Sequence, residues 1–194
     1  MLAFSRITSI LFFVLSLSFL TCALPTSAPQ TNALAARGTG ADLLKICVNL
    51  EADVKAKVDA IVIANVKVLA DVEPVLLDIV ALVDVAAKDV LALGANINVD
   101  VDVKAQVAVH IAAVIRLVVN LCLALVVKLG VTALLALLVK IDVCLQLLLV
   151  NLSVVVEGII VLVAKLVVDL TVKVFVNLNL NLCLSVLGLI NISL

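Results

Sequence analysis

Residues 96–104 read Asn96-Ile97-Asn98-Val99-Asp100-Val101-Asp102-Val103-Lys104, four aliphatic side chains alternating strictly with five polar ones. Alternation of this kind places one residue class on each face of a pleated strand, whereas a helix at 3.6 residues per turn spreads it around its surface. The same phase runs outward from this stretch. From 85 to 143, 24 of 30 odd positions are Val, Ile or Leu, against 6 of the 31 even positions from 84 to 144. From 44 to 72 every even position is apolar, counting Ala, and from 166 to 194 the even positions carry 14 large aliphatics out of 15. Three blocks separated by two phase flips predict a mainly β chain, built as an amphipathic sheet or a solenoid-like stack of period-two strands. The abundance of Val agrees, because a β-branched side chain loses rotamer freedom in a helix and fits a pleated surface.

Turn chemistry favours the alternative, an all-α bundle of long helical hairpins. Between 97 and 150 the only glycine is Gly130 and there is no proline, although strands usually stop after about ten residues. Gly94, Gly130, Gly158 and Gly188 mark off segments of helical-hairpin length, and Lys165, Asp169 and Lys173 stand at i, i+4 and i+8.

The 194 residues are 66% hydrophobic, with a mean hydropathy of +1.42, where soluble domains run at about 45–50% apolar. Charge is uneven. A charged amphipathic half, residues 42–104, carries eleven acids and six lysines; the hydrophobic half, residues 105–194, carries five bases and three acids and belongs to the same domain. A net charge of −1 with no basic cluster leaves no electrostatic footprint for nucleic acid, which is excluded as a partner.

Residues 1–23 read as a secretory signal peptide, with Arg6 before the apolar run at 10–20 and Thr21-Cys22-Ala23 at the cleavage site. Residues 24–41, with Pro25, Ser27, Pro29, Gln30, Gly38 and Gly40, read as a flexible lead-in. The mature chain keeps Cys47, Cys122, Cys144 and Cys183. An even number in an oxidising compartment predicts two disulfides with three connectivities open, buried thiols being the alternative. Three of the four share a frame, Asn120-Leu121-Cys122-Leu123, Asp142-Val143-Cys144-Leu145 and Asn181-Leu182-Cys183-Leu184.

Reactive chemistry is sparse. His110 is the only histidine, and the chain offers no serine-nucleophile motif, CxxC pair or glycine-rich phosphate loop, so no enzyme, catalytic residue or cofactor is expected. Asn96, Asn98, Asp100 and Asp102 would line one face of a strand, but an EF-hand loop begun at Asn96 would need Gly at Val101 and Glu at Val107, and no metal site is expected. Asn151-Leu152-Ser153 and Asn191-Ile192-Ser193 are glycosylation sequons, with Asn151 and Asn191 the candidate acceptors in a secreted chain.

Lys104, Arg116, Lys128 and Lys140 recur every twelve residues and interrupt charge-free runs of the length a transmembrane helix needs. An integral membrane protein of the secretory pathway, with lipid as its partner, is therefore the second reading. A carrier of apolar ligands, which would need a closed cavity, is the third.

The signal ending Thr21-Cys22-Ala23, the polar first half and the hydrophobic second half resemble the small secreted, non-hydrophobin hydrophobic proteins of mushroom-forming fungi. The resemblance covers the whole chain and rests on architecture. It is not to the hydrophobins, whose eight-cysteine pattern with a Cys-Cys doublet is absent. It implies association with the cell wall and extracellular matrix and attachment to surfaces. From the residues themselves, the 14 aliphatics of 166–194, at about 1.5–3 kcal/mol each, would supply roughly 20–40 kcal/mol of gross driving force toward an interface. The combined expectation is a secreted, extracellular or wall-located structural protein. It would be surface-active and self-associating, and it would coat wall polysaccharide or hydrophobic surfaces as β-rich films.

Overall fold

The computed structural model describes residues 30–61, 65–170 and 172–188, and among these the chain is helical with no strand. Its helices are α1 (Gln30–Asp59), α2 (Glu73–Ala92), α3 (Val101–Leu129), α4 (Val131–Val155), α5 (Ile159–Val167), α6 (Val172–Asn177) and α7 (Asn181–Val186), with a 3-10 turn at Leu69–Asp71. The expected β sheet is thus overturned in favour of the helical bundle. Residues 35–194 form one contact unit and residues 1–34 another. The expected signal peptide at 1–23 lies outside the described residues, as does the lead-in as far as residue 29. Residues 30–41 of the lead-in belong to α1, where Ala33, Leu34, Ala35, Ala36 and Arg37 are strong helix formers.

Burial on α3 shows why the alternation misled. Its buried side chains are Val107, Ala108, Ile111, Ala112, Val114, Ile115, Val118, Val119, Leu121, Cys122 and Leu125, which recur at three and four residues and draw almost evenly on odd and even positions. Meanwhile Val101, Val109 and Val127, on the supposedly apolar phase, face water. In a chain this rich in apolar residues both parities can fill a core. The helical penalty for Val, at most about 0.7 kcal/mol relative to Ala, is smaller than the roughly 1.5–3 kcal/mol gained by burying its side chain. Residues 96–104 divide between a loop and the first turn of α3. The loop is held because Asn96 and Ile97 donate their backbone N–H groups to the Val154 and Val155 carbonyls, each at 2.9 Å, satisfying acceptors that the end of α4 leaves open.

The glycine punctuation carried the correct signal. Gly130, at φ 83°, is the single residue between α3 and α4, a left-handed position that a side chain resists. Gly158, at φ 70°, does the same before α5. Pro74 stands in the first turn of α2 behind Glu73, where a missing N–H costs nothing and an acid suits the helix dipole.

Helix α4 is the hub. It packs most extensively on α2 and also contacts α3, α5 and α7, while α3 packs on α5. The two buried polar side chains among the described residues, Asp142 and Asn151, both lie on α4. Asp142 accepts from the backbone N–H groups of Leu182 and Cys183, each at 2.9 Å, and so fixes α7. The Asn151 amide donates to the Ala87 carbonyl of α2 at 2.8 Å. Arg116 of α3 reaches the Leu166 carbonyl and both Asp169 oxygens at 2.9 and 3.0 Å. This guanidinium bond holds the Asp169 carboxyl below the ordinary carboxylate range. Asp169 thus pairs across the bundle with Arg116 of α3.

Candidate functional site

The helices differ most in what they turn toward water. On α4 the outward positions include Leu135, Val139, Val143, Leu147, Val150 and Val154, exposed by 38–50%. Steps of four, four, four, three and four keep them on one side of the helix. The other outward residues are Thr132, Ala133, Ala136, Lys140 and Ser153, with the partly exposed Gln146 among them, so Lys140 is the one charge on that side. The opposite side of α4 is in the core, from Leu134 to Val155. A helix apolar all round is normally buried all round; α4 is buried by half.

The strip was hidden in the sequence because the period-two reading grouped Leu135, Val139 and Val143 with the buried Leu137 and Ile141, all of them odd-numbered. Steps of three and four separate the two sets only once the structure shows Asp142 and Asn151 pointing inward.

The other candidate sites fare differently. Cys47, Cys122, Cys144 and Cys183 are buried free thiols, not disulfides. Cys144 of α4 lies near enough to Cys122 of α3 and Cys183 of α7 that their charges would interact. Cys47 sits on α1. Burial pushes all four thiols up to about 12, which keeps them protonated and poor nucleophiles at neutral pH. The repeated Cys-Leu frame therefore supplies small apolar packing groups. Asn151 of the first sequon is buried, and its amide nitrogen is committed to Ala87, so a glycan there is incompatible with the α2–α4 packing. Asn191 lies outside the described residues.

His110 is half-buried with Nδ1 2.5 Å from Glu51 Oε2, linking α3 to α1. Asn96 and Asn98 lie in the loop before α3, with Asp100 at its N-cap and Asp102 in its first turn. They do not share the strand face on which a cation site was considered. Among the described residues no group of three or more His, Cys, Asp or Glu is arranged to hold a metal.

Clefts are shallow. One of 560 Å³ lies between the α2–α3 loop and the α4–α5 junction, lined by Asn96, Asn98, Lys104, Glu157 and Gly158 above Ile97, Val99 and Val156. Lys104 closes one side of it by donating to the Glu157 carbonyl. Another, of 220 Å³, separates α1 from α2. Both open broadly to solvent.

No protein-family model, curated protein or solved structure matches the chain.

Proposed function

We propose that this chain is a secreted, surface-active structural protein that associates with itself and coats apolar surfaces in the cell wall or extracellular matrix, and that it does so as a helical protein. The observation that carries the reading is the outward apolar strip of α4, from Leu135 to Val154, with Lys140 its one charge. Contiguous exposed apolar area of this kind marks surfaces that meet something other than water.

The helical fold changes the energetics. Part of the aliphatic content that a sheet would offer to an interface is taken into the core instead; Leu178, Leu180 and Leu184 are buried. A strip of roughly 400 Å² leaving water at about 25 cal/mol per Å² gives on the order of 10 kcal/mol gross. Adsorption of the folded protein is then reversible, not the near-permanent deposition of an exposed sheet.

Drop tensiometry with far-UV circular dichroism of the secreted protein tests this. The wild type lowers the surface tension of water and keeps its helical spectrum, and Val139→Lys with Val143→Lys removes the effect while leaving the spectrum unchanged. A surface-inactive wild type sinks the reading. One observation favours a second reading, an integral membrane protein: α3 and α4 are long and apolar enough to cross a bilayer, with mean hydropathies of 2.3 and 2.4 over their most apolar windows. Half of each window is buried within the protein, as core helices also are. Resistance to alkaline carbonate extraction, with no protein in the medium or wall, would favour that reading over the first.

A further inference from the structure

We propose that in solution the outward strip of α4 is covered by a second copy of this chain, α4 against α4 in antiparallel sense about a two-fold axis. The pairing rests on the reading of that strip as the working surface and names its partner away from an interface. A two-fold contact sets one patch against itself, so the patch must be self-complementary. Reversing α4 about a point near residue 145 sets Val143 opposite Leu147 of the second copy, Val139 opposite Val150, and Leu135 opposite Val154. The small Ala136 then faces the small Ser153. Large side chains then meet large ones along the strip, with the partly exposed Gln146 near the axis.

Charge selects the direction. A parallel, in-register pair would set the two Lys140 ammonium groups side by side, with no acid on the strip to relieve them. In the antiparallel pair they stand about 14 Å apart along the axis, at 1.5 Å per residue, beyond the Debye length of roughly 8 Å at physiological salt. Each lysine can then extend its ammonium to the rim and leave its methylenes on the contact.

Size sets the strength. Six side chains exposed by 38–50%, with the small residues between them, make a strip within the roughly 300–600 Å² of the largest apolar patches on soluble monomers. A standing interface buries about 800 Å² per partner. The pair is therefore a reversible dimer, one that can dissociate and present the same strip to a surface.

Sedimentation velocity of the secreted full chain over a thousandfold range of concentration reads the pairing directly. The expected result is a concentration-dependent dimer whose dissociation constant rises at least tenfold in Val143→Lys, with an unchanged far-UV spectrum. The direction is read by cross-linking under mild oxidation. The double variant Val139→Cys with Val150→Cys forms a covalent dimer, whereas Val139→Cys alone does not, because the two copies of position 139 lie far apart in the antiparallel pair. Efficient cross-linking of the single variant indicates a parallel pair and overturns the proposal. So does a wild type that stays monomeric throughout, or one that floats as a monomer with phosphatidylcholine vesicles. Tensiometry on the same samples separates the two readings: a monomer that lowers surface tension loses the dimer but keeps the surface activity, and a surface-inactive dimer does the reverse.

Discussion

On α1 the water-facing positions include Asp42, Lys45, Asn49, Asp53, Lys55 and Asp59; on α4 they include Leu135, Val139, Val143, Leu147, Val150 and Val154. The inward sides are just as unlike. Among the described side chains of α1, Leu43, Cys47, Leu50 and Val54 are buried in the core, at the i, i+4, i+7 and i+11 spacing of a narrow stripe. Twelve residues of α4 do so. A charged helix on a narrow stripe needs nothing beyond water on its outer side. A hub helix that remains apolar where it leaves the core does, because water gains nothing from Val and Leu. On the proposed function, this difference puts the interacting surface on α4 and leaves α1 as a solvated cover.

The largest expected effect tests whether the two sides of α4 do different jobs. Leu145→Ala, on the buried side, destabilises the protein by about 2–5 kcal/mol in urea unfolding through lost burial and a residual cavity. Val143→Ala, two residues away on the outward side, changes stability by no more than about 0.5 kcal/mol but weakens adsorption measured by tensiometry. Leu50→Ala on α1 falls at the low end of the first range, since a helix on a narrow stripe can settle toward the gap. Equal losses at 143 and 145 would erase the contrast.

The second effect concerns how each helix is tied to its neighbours. The α4 ties are buried: the Asp142 oxygens each hold one N–H of α7. Asp142→Asn keeps one acceptor and turns an amide NH₂ toward the other donor. That leaves a part-buried N–H unsatisfied, at about 1–3 kcal/mol, and hydrogen exchange at the Leu182 and Cys183 amides accelerates before the rest of the chain. Unchanged protection at those two amides would show that α7 is held by packing alone.

How far the fold was legible follows from the same two helices. Gly94, Gly130 and Gly158 stood in the sequence as punctuation, and each is a positive-φ joint between helices; glycine requirements are local and can be read locally. The charge of residues 42–59 likewise announced an exposed helix face once a helical period is applied to it. The alternation from 85 to 143 was not a fold signal, because Ala108, Ala112 and Cys122 are as well buried as Val107 and Ile111. Parity of residue size therefore did not report facing. Asp142 and Asn151 were visible only as members of a cysteine frame and a sequon. Their partners, the α7 amides and the Ala87 carbonyl, lie 40 to 64 residues away, a distance that no local pattern encodes. The outward strip of α4 was unreadable for the same reason: its sequence resembles that of its buried side, and only the packing of α2, α3, α5 and α7 decides which side is which.

The smallest effect sets the exposed ties of α1 beside the buried ties of α4. Glu51 meets His110 of α3 at 2.5 Å, with the two side chains 30% and 28% exposed, and Lys57 meets Asp78 of α2 at 2.7 Å with both largely in water. Pairs this accessible gain little, since solvent competes for both partners and ordering two side chains offsets much of the attraction. A double-mutant cycle with Glu51→Gln and His110→Gln should give a coupling of about 0.2–1 kcal/mol, below the loss at Asp142. Because the described side chains of α1 include only four that are buried, with one part-buried and one accessible pair to hold it, it should open as a unit below the global unfolding energy. Its amides from Leu43 to Val54 then exchange faster than those of α4 from Leu134 to Leu152. A coupling of several kcal/mol, or equal protection of the two helices, would place α1 among the structural members of the bundle. The contrast between cover and hub would then rest on surface chemistry alone.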